Sequence, residues 1–231
     1  MVGRVCRVLV VCVAMMLASS AVHAQDWTGI NQKVGASIVR IESTTSERGE
    51  GESIITPDSW RRGRYLCSGV IIAPTVVVTA AHCVPEDPLG RSISVNQRHA
   101  EILKLNYAID LAVLSVPGLA GTPIAQRSSA APVGLPVVVA GHAFGAFRIK
   151  YTFGWISDTS DVALTVGVFL DATAIPGHSG GAICDSRGRL LSILQAGLIQ
   201  GVSYLAIGAP PEVLRQFIAE FLPPPPVRGN H

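Results

Sequence analysis

Apolar residues fall in short runs along the chain, dominated by Val, Ile and Leu and separated by Gly, Pro, Asn and Asp. Such runs are too short for helices and carry the β-branched enrichment of strands, and their close repetition predicts an all-β sandwich or barrel. The expected strands are residues 37–41, 68–72, 76–79, 93–95, 100–105, 111–116, 137–140, 151–157, 162–170, 181–184, 190–194 and 202–207. Between Gly121 and Gly134 the pattern lapses into Pro, Ser and Ala, which places a boundary between two half-domains there. Residues 43–64 are polar, charged and glycine-bearing, and read as a long loop. Only residues 211–222 show clear helical spacing, through Val213, Leu214, Phe217, Ile218 and Phe221. Prolines 223–226 stop that helix and open a proline-rich tail, residues 223–231.

The first 24 residues follow a different rule. Arg4 and Arg7 give a positive start, an unbroken apolar run follows over 8–18, and Val22-His23-Ala24 offers a small-residue cleavage site before Gln25. Residues 1–24 therefore read as a secretory signal, and the expected destination is periplasmic or extracellular. The apolar run is too short for a mature membrane span, and no later segment is long and apolar enough to cross, so no stable membrane association is expected after signal removal. Cleavage removes two of the 18 Lys and Arg and none of the 16 Asp and Glu, leaving 16 against 16. A neutral mature chain does not point to nucleic acid. Cys6 and Cys12 leave with the signal; of Cys67, Cys83 and Cys184, export permits one pair and leaves one over.

Three segments carry chemistry. Thr79-Ala80-Ala81-His82-Cys83 closes an apolar run, Asp110-Leu111-Ala112-Val113-Leu114 opens another, and Pro176-Gly177-His178-Ser179-Gly180-Gly181 is a glycine-rich turn between two more. A serine hydroxyl is a poor nucleophile at neutral pH until a neighbouring base takes its proton. Imidazole suits that base, and a carboxylate on its second nitrogen fixes the tautomer and stabilises the imidazolium. Negative charge developing on a carbonyl needs donors that do not reorganise, which backbone N–H groups in a tight turn supply. No residues show metal-ligand spacing, and no cofactor is called for. Cys184 follows the turn on an apolar run and reads as a buried thiol.

Together these segments resemble the trypsin-like serine proteases of the chymotrypsin superfamily, over residues from about 37 to the final helix. Ser37-Ile38-Val39-Arg40-Ile41, Ser68-Gly69-Val70-Ile71-Ile72, Gly141-His142-Ala143-Phe144-Gly145 and Gly154-Trp155-Ile156-Ser157 bring the chain closest to bacterial HtrA (Deg) protease domains, here without a PDZ module. The resemblance implies two packed six-stranded antiparallel β-barrels, at about 30–122 and 132–208, within a protease domain spanning 25–222 and ending on a C-terminal helix. It implies His82 as general base, Asp110 as its orienting carboxylate and Ser179 as nucleophile, with the N–H groups of Gly177 and Ser179 as oxyanion hole. It implies a Cys67–Cys83 disulfide and a primary pocket with Thr173 at its base and Gly197 and Gly201 at its walls. Thr173 carries no charge, so small to medium apolar side chains are expected before the cut. Protein or peptide substrates follow.

Digestive members carry Asp just before the nucleophile, where this chain has His178. His178 cannot serve as a permanent carboxylate and is given no catalytic role, the alternative being a solvent-facing turn residue; His142 lies on a loop near the site. Gly177-His178-Ser179-Gly180-Gly181 also satisfies the G-x-S-x-G pattern of α/β-hydrolases. That fold needs a helix after the serine and a later histidine, whereas a second apolar run follows here and the only later histidine is the terminal His231. An inactive or chaperone-like peptide-binding scaffold is the alternative function, against which the intact triad argues.

Overall fold

The computed structural model describes residues 26–44, 64–84, 92–159, 161–162, 165–200 and 203–223. The expected signal, most of the 43–64 loop and most of the proline tail lie outside these residues. Fifteen strands are present among them: β1 (Ile38–Thr44), β2 (Arg64–Ala73), β3 (Val76–Thr79), β4 (Ser92–Val95), β5 (Arg98–His99), β6 (Glu101–Asn106), β7 (Leu111–Ser115), β8 (Pro136–Gly141), β9 (Lys150–Asp158), β10 (Asp161–Val162), β11 (Thr165–Val166), β12 (Val168–Asp171), β13 (Ala182–Asp185), β14 (Leu190–Gln200) and β15 (Ser203–Gly208). Two α-helices frame them, α1 (Trp27–Gly35) and α2 (Pro211–Ile218). None of the described helices is long and apolar enough to cross a membrane.

The second half is a closed barrel in the order β12-β15-β14-β13-β8-β9. The first is a curled seven-stranded sheet, β5-β4-β1-β2-β3-β7-β6, rather than six strands closed by hydrogen bonds. Its physical basis is a break at Ala100, whose N–H turns to Ile93 O at 2.9 Å. The segment from Arg98 to Asn106 thus borders β4 with its first part and β7 with its last, so one bent strand edges both sides of the roll.

Alternation sorts the apolar residues into three layers. Ile71 and Val77 fill the first half, and Val137, Val139 and Ile183 fill the barrel. Their neighbours Val70, Ile72, Val138, Ala140, Ala182 and Cys184 face a third core that joins the halves. Strands buried on both faces need apolar residues on both faces, which is why runs such as Val137-Val138-Val139 are continuous. Between the halves, Arg127 binds the buried Asp185 carboxylate at 2.9 Å and its N–H meets Leu190 O at 2.8 Å, fastening the connecting segment to the barrel.

Three expectations need correction. A single strand over 162–170 is replaced by β10, β11 and β12, because the chain pairs back on itself at Val162 and Thr165 and Gly167 lies against Gly208 O. The strand at 190–194 runs on to Gln200, since its pairing with β15 continues to Ser203. The helix α1 was not expected. Asp26 caps it through Gly29 N at 3.1 Å, Val34 is buried, and Trp27 meets Phe153 edge-on at 4.9 Å. The C-terminal helix follows the expected spacing, burying Leu214, Phe217 and Ile218, and becomes a 3-10 turn at Ala219–Phe221. Lys104 from β6 donates to Phe217 O at 3.0 Å, tying this helix back to the first half.

Candidate active site

His82, Asp110 and Ser179 come from three elements that meet between the halves. His82 sits on a 3-10 turn, Ala81–Cys83, directly after β3. Asp110 stands just before β7 at φ 50, a left-handed conformation that Asp tolerates better than most residues. The turn leading to it is shaped by Asn106, whose side-chain oxygen accepts from Ala108 N at 2.9 Å. Asp110 Oδ2 lies 2.9 Å from His82 Nδ1, and Oδ1 accepts the His82 backbone N–H at 2.8 Å. One carboxylate therefore grips both the ring and the main chain of the histidine. Gln195 on β14 donates to Ile109 O at 2.7 Å and to Asp110 O at 3.0 Å, holding the aspartate from the other half. Sequence reasoning missed Gln195, which belongs to no motif.

Ser179 lies in the turn between β12 and β13. No hydrogen bond joins its Oγ to His82; catalytic contacts of this kind are often long in the absence of substrate. The two segments are nonetheless adjacent, since Cys67 and Cys83 form a disulfide and Ser68 N donates to Ser179 O at 2.8 Å. Cys184 is free and buried, and burial pushes its thiol far above the ordinary range. Cys67, His82 and Cys83 are the group of potential metal ligands that lies close together among the described residues. With both sulfurs in the disulfide, that set has no thiolates to offer.

The carbonyls from Pro176 to Ser179 are all engaged. Pro176 O accepts from Phe144 N at 2.6 Å, Gly177 O from Ser68 Oγ at 2.7 Å, and His178 O from Gly181 N at 2.7 Å. Among the N–H groups, His178 donates to Ile175 O and Gly180 to Leu194 O. Only those of Gly177 and Ser179 lack an acceptor among the described residues. Because a peptide N–H points opposite its C=O, the grip on Pro176 O and His178 O turns these two N–H groups the other way. Gly177 and Gly180 have φ of +92 and +78, and a Cβ on Gly177 would stand 2.7 Å from Phe144 N. Both positions therefore require glycine.

Thr173 is exposed, and its carbonyl accepts from Thr152 Oγ1 at 2.8 Å. Gly197 faces its neighbour Ala174, at whose Cβ an added side chain would collide. The Thr173 and Gly197 segments thus lie side by side, whereas Gly201 lies outside the described residues.

His178 is fully buried, which removes the alternative of a solvent-facing turn residue. Gly141 leaves room for its ring, with the Cβ site of that glycine 3.2 Å from His178 Cδ2. Neither ring nitrogen has a partner among the described residues. Burial pulls its pKa down to about 4, and the charges of His142 and Lys150 add to this. Burial also lowers His142, whose Nδ1 meets Ala146 O at 2.8 Å. A histidine whose folded pKa is depressed keeps its full stability above its unfolded pKa, near 6.5, and loses it as acid protonates the unfolded chain. Stability should therefore fall between about pH 6.5 and pH 4 and then level off, by on the order of 3 kcal/mol for His178. Urea midpoints from pH 7.5 to 4 test this. The His178→Asn chain should give a flatter curve, and an unchanged slope would show that His178 is not the source.

A family described as "Trypsin-like peptidase domain" matches residues 67–193, more than half of the chain. No curated protein matches in sequence. Among solved structures, the Rv3671c protease from M. tuberculosis in its active form superposes with a TM-score of 0.67 at 21% identity, covering 88% of this chain and 90% of that one. The inactive form gives 0.64 at 20% identity, with 83% and 92% covered. At these identities the likeness is one of fold.

Proposed function

The chain belongs to the trypsin-like peptidases, and from that premise we propose that it is an exported serine endopeptidase using His82, Asp110 and Ser179. The observation that carries this reading is the coincidence of the Asp110–His82 pair with a turn whose free N–H groups flank Ser179. Ser179 Oγ attacks the substrate carbonyl carbon while its proton passes to His82 Nε2. The carbonyl oxygen becomes an oxyanion held by the N–H groups of Gly177 and Ser179, each worth roughly 3 kcal/mol in the transition state. The C–N bond then breaks, and His82 returns the proton to the departing amine. Water repeats the sequence on the acyl-enzyme, with His82 again as base. Asp110 accepts from Nδ1–H throughout and so keeps Nε2 available as the acceptor.

The disulfide accords with export into an oxidising compartment. In this reading the residue before the cut enters beside Thr173, which brings no charge to the base of the pocket. Peptidyl diphenyl phosphonates test reaction and pocket together. They should attach covalently to Ser179, faster with Ala, Val or Leu at the position before the phosphorus than with Arg or Lys. An unlabelled chain would mark an inactive peptide-binding scaffold, and a preference for basic probes would refute the pocket.

A further inference from the structure

We infer that Ser68 is a positioning residue that holds the oxyanion turn in its working shape; the inference rests on the reading of Gly177 and Ser179 just given. Ser68 belongs to β2, next to the disulfide-bonded Cys67, and is fully buried. Its main-chain N–H donates to Ser179 O at 2.8 Å. Its hydroxyl donates to Gly177 O at 2.7 Å and accepts the His142 N–H at 2.7 Å. Its carbonyl accepts Thr79 Oγ1 at 2.7 Å, from the strand that leads to His82. One residue thus clamps both carbonyls that flank the His178–Ser179 peptide.

The hydroxyl matters most because its bond is the one that the main chain cannot replace. Pro176 O and His178 O are held by backbone donors, and Ser179 O by the backbone of Ser68. Gly177 O is held by a side chain alone. Gly177 has no side chain to fix its peptide, whose other tie among the described residues is the His178 N–H on Ile175 O at 2.9 Å, and rotation of that peptide would carry the neighbouring N–H groups out of line. Without the hydroxyl, a buried carbonyl and the His142 N–H both lose their partner, which favours a shift of the Gly177 peptide against the hold of its bond to Ile175. That rearrangement weakens binding of the oxyanion without touching the substrate side chains, so it falls on the transition state.

The test compares Ser68→Ala with Ser192→Ala in the mature protein, well below both unfolding midpoints. Ser192 is an equally buried hydroxyl, donating to Ala209 O at 2.6 Å outside the turn. For a peptide ester, Ser68→Ala should lower kcat by on the order of 10- to 100-fold, short of the roughly 10²- to 10³-fold lost with a whole oxyanion donor. KM should stay within about twofold, and affinity for a peptide boronate, which mimics the tetrahedral species, should fall by the same factor as kcat. Ser192→Ala should lose stability and keep its kcat. If the Ser68→Ala chain does not fold, Ser68→Cys, with similar shape and a weak donor, must show the same kcat and boronate losses. Wild-type kcat in the Ser68 variant, a loss confined to KM, or an equal kcat loss in Ser192→Ala would overturn the assignment. Turnover surviving in Ser179→Ala would instead overturn the reading on which it rests.

Discussion

Ser179→Ala is expected to lower kcat for peptide and ester hydrolysis by on the order of 10⁴ to 10⁶ while leaving the fold intact. The substitution removes Oγ and nothing else that the turn uses. The Ser179 main chain keeps its bond to Ser68, its free N–H and its place between His178 and Gly180. Its hydroxyl makes no hydrogen bond among the described residues, so no partner is left unpaired, and the melting temperature should move little. Residual rate enhancement should persist, since the free N–H groups and the pocket remain. Turnover of a chromogenic peptide ester, read beside calorimetry, checks both halves. A variant within tenfold of the parent's kcat would remove Ser179 from the chemistry.

The strands and the three motif segments were legible because their signals are local. Val76-Val77-Val78 and Val137-Val138-Val139 read as strands from their β-branched runs, and Gly177 to Gly181 declares a turn. What escaped the sequence is long-range and made by ordinary residue types. Ser68 meets Gly177 and His142 across the interface between the halves, and Gln195 reaches back to Ile109 and Asp110. Nothing in a serine or glutamine on an apolar run marks such partners. The helix α1 escaped for a different reason: Trp27, Ile30 and Val34 are too few to establish a period over nine residues.

His178 shows how far a single residue could be read. Its identity excludes an ion pair like that of the digestive relatives, but not what replaces it. The replacement is neutral: a buried imidazole beside His142, with the turn fastened by Ser68, Phe144 and Gly181. Burial of that ring depends on the absence of a side chain at Gly141, on a different strand, so the pattern around His178 could not announce it.

Asp110→Asn is expected to cost roughly 10⁴ in kcat at neutral pH with little loss of fold. Asn has the same shape and, like Asp, tolerates the left-handed backbone at φ 50. Its amide can offer one oxygen and one NH₂ group where the carboxylate offers two oxygens. The His82 backbone N–H, 2.8 Å from Oδ1, can only be met by the oxygen. The NH₂ group is then left facing His82 Nδ1, which must become an acceptor, and the ring proton moves to Nε2. In that tautomer Nε2 presents a hydrogen to Ser179 and cannot take its proton. The defect is thus in the tautomer and not in the placement of the ring. Nitrogen NMR of the His82 ring should report Nε2–H in the variant and Nδ1–H in the parent. A fully active Asp110→Asn enzyme would move the orienting role to another carboxylate, with Asp87, outside the described residues, the next to replace.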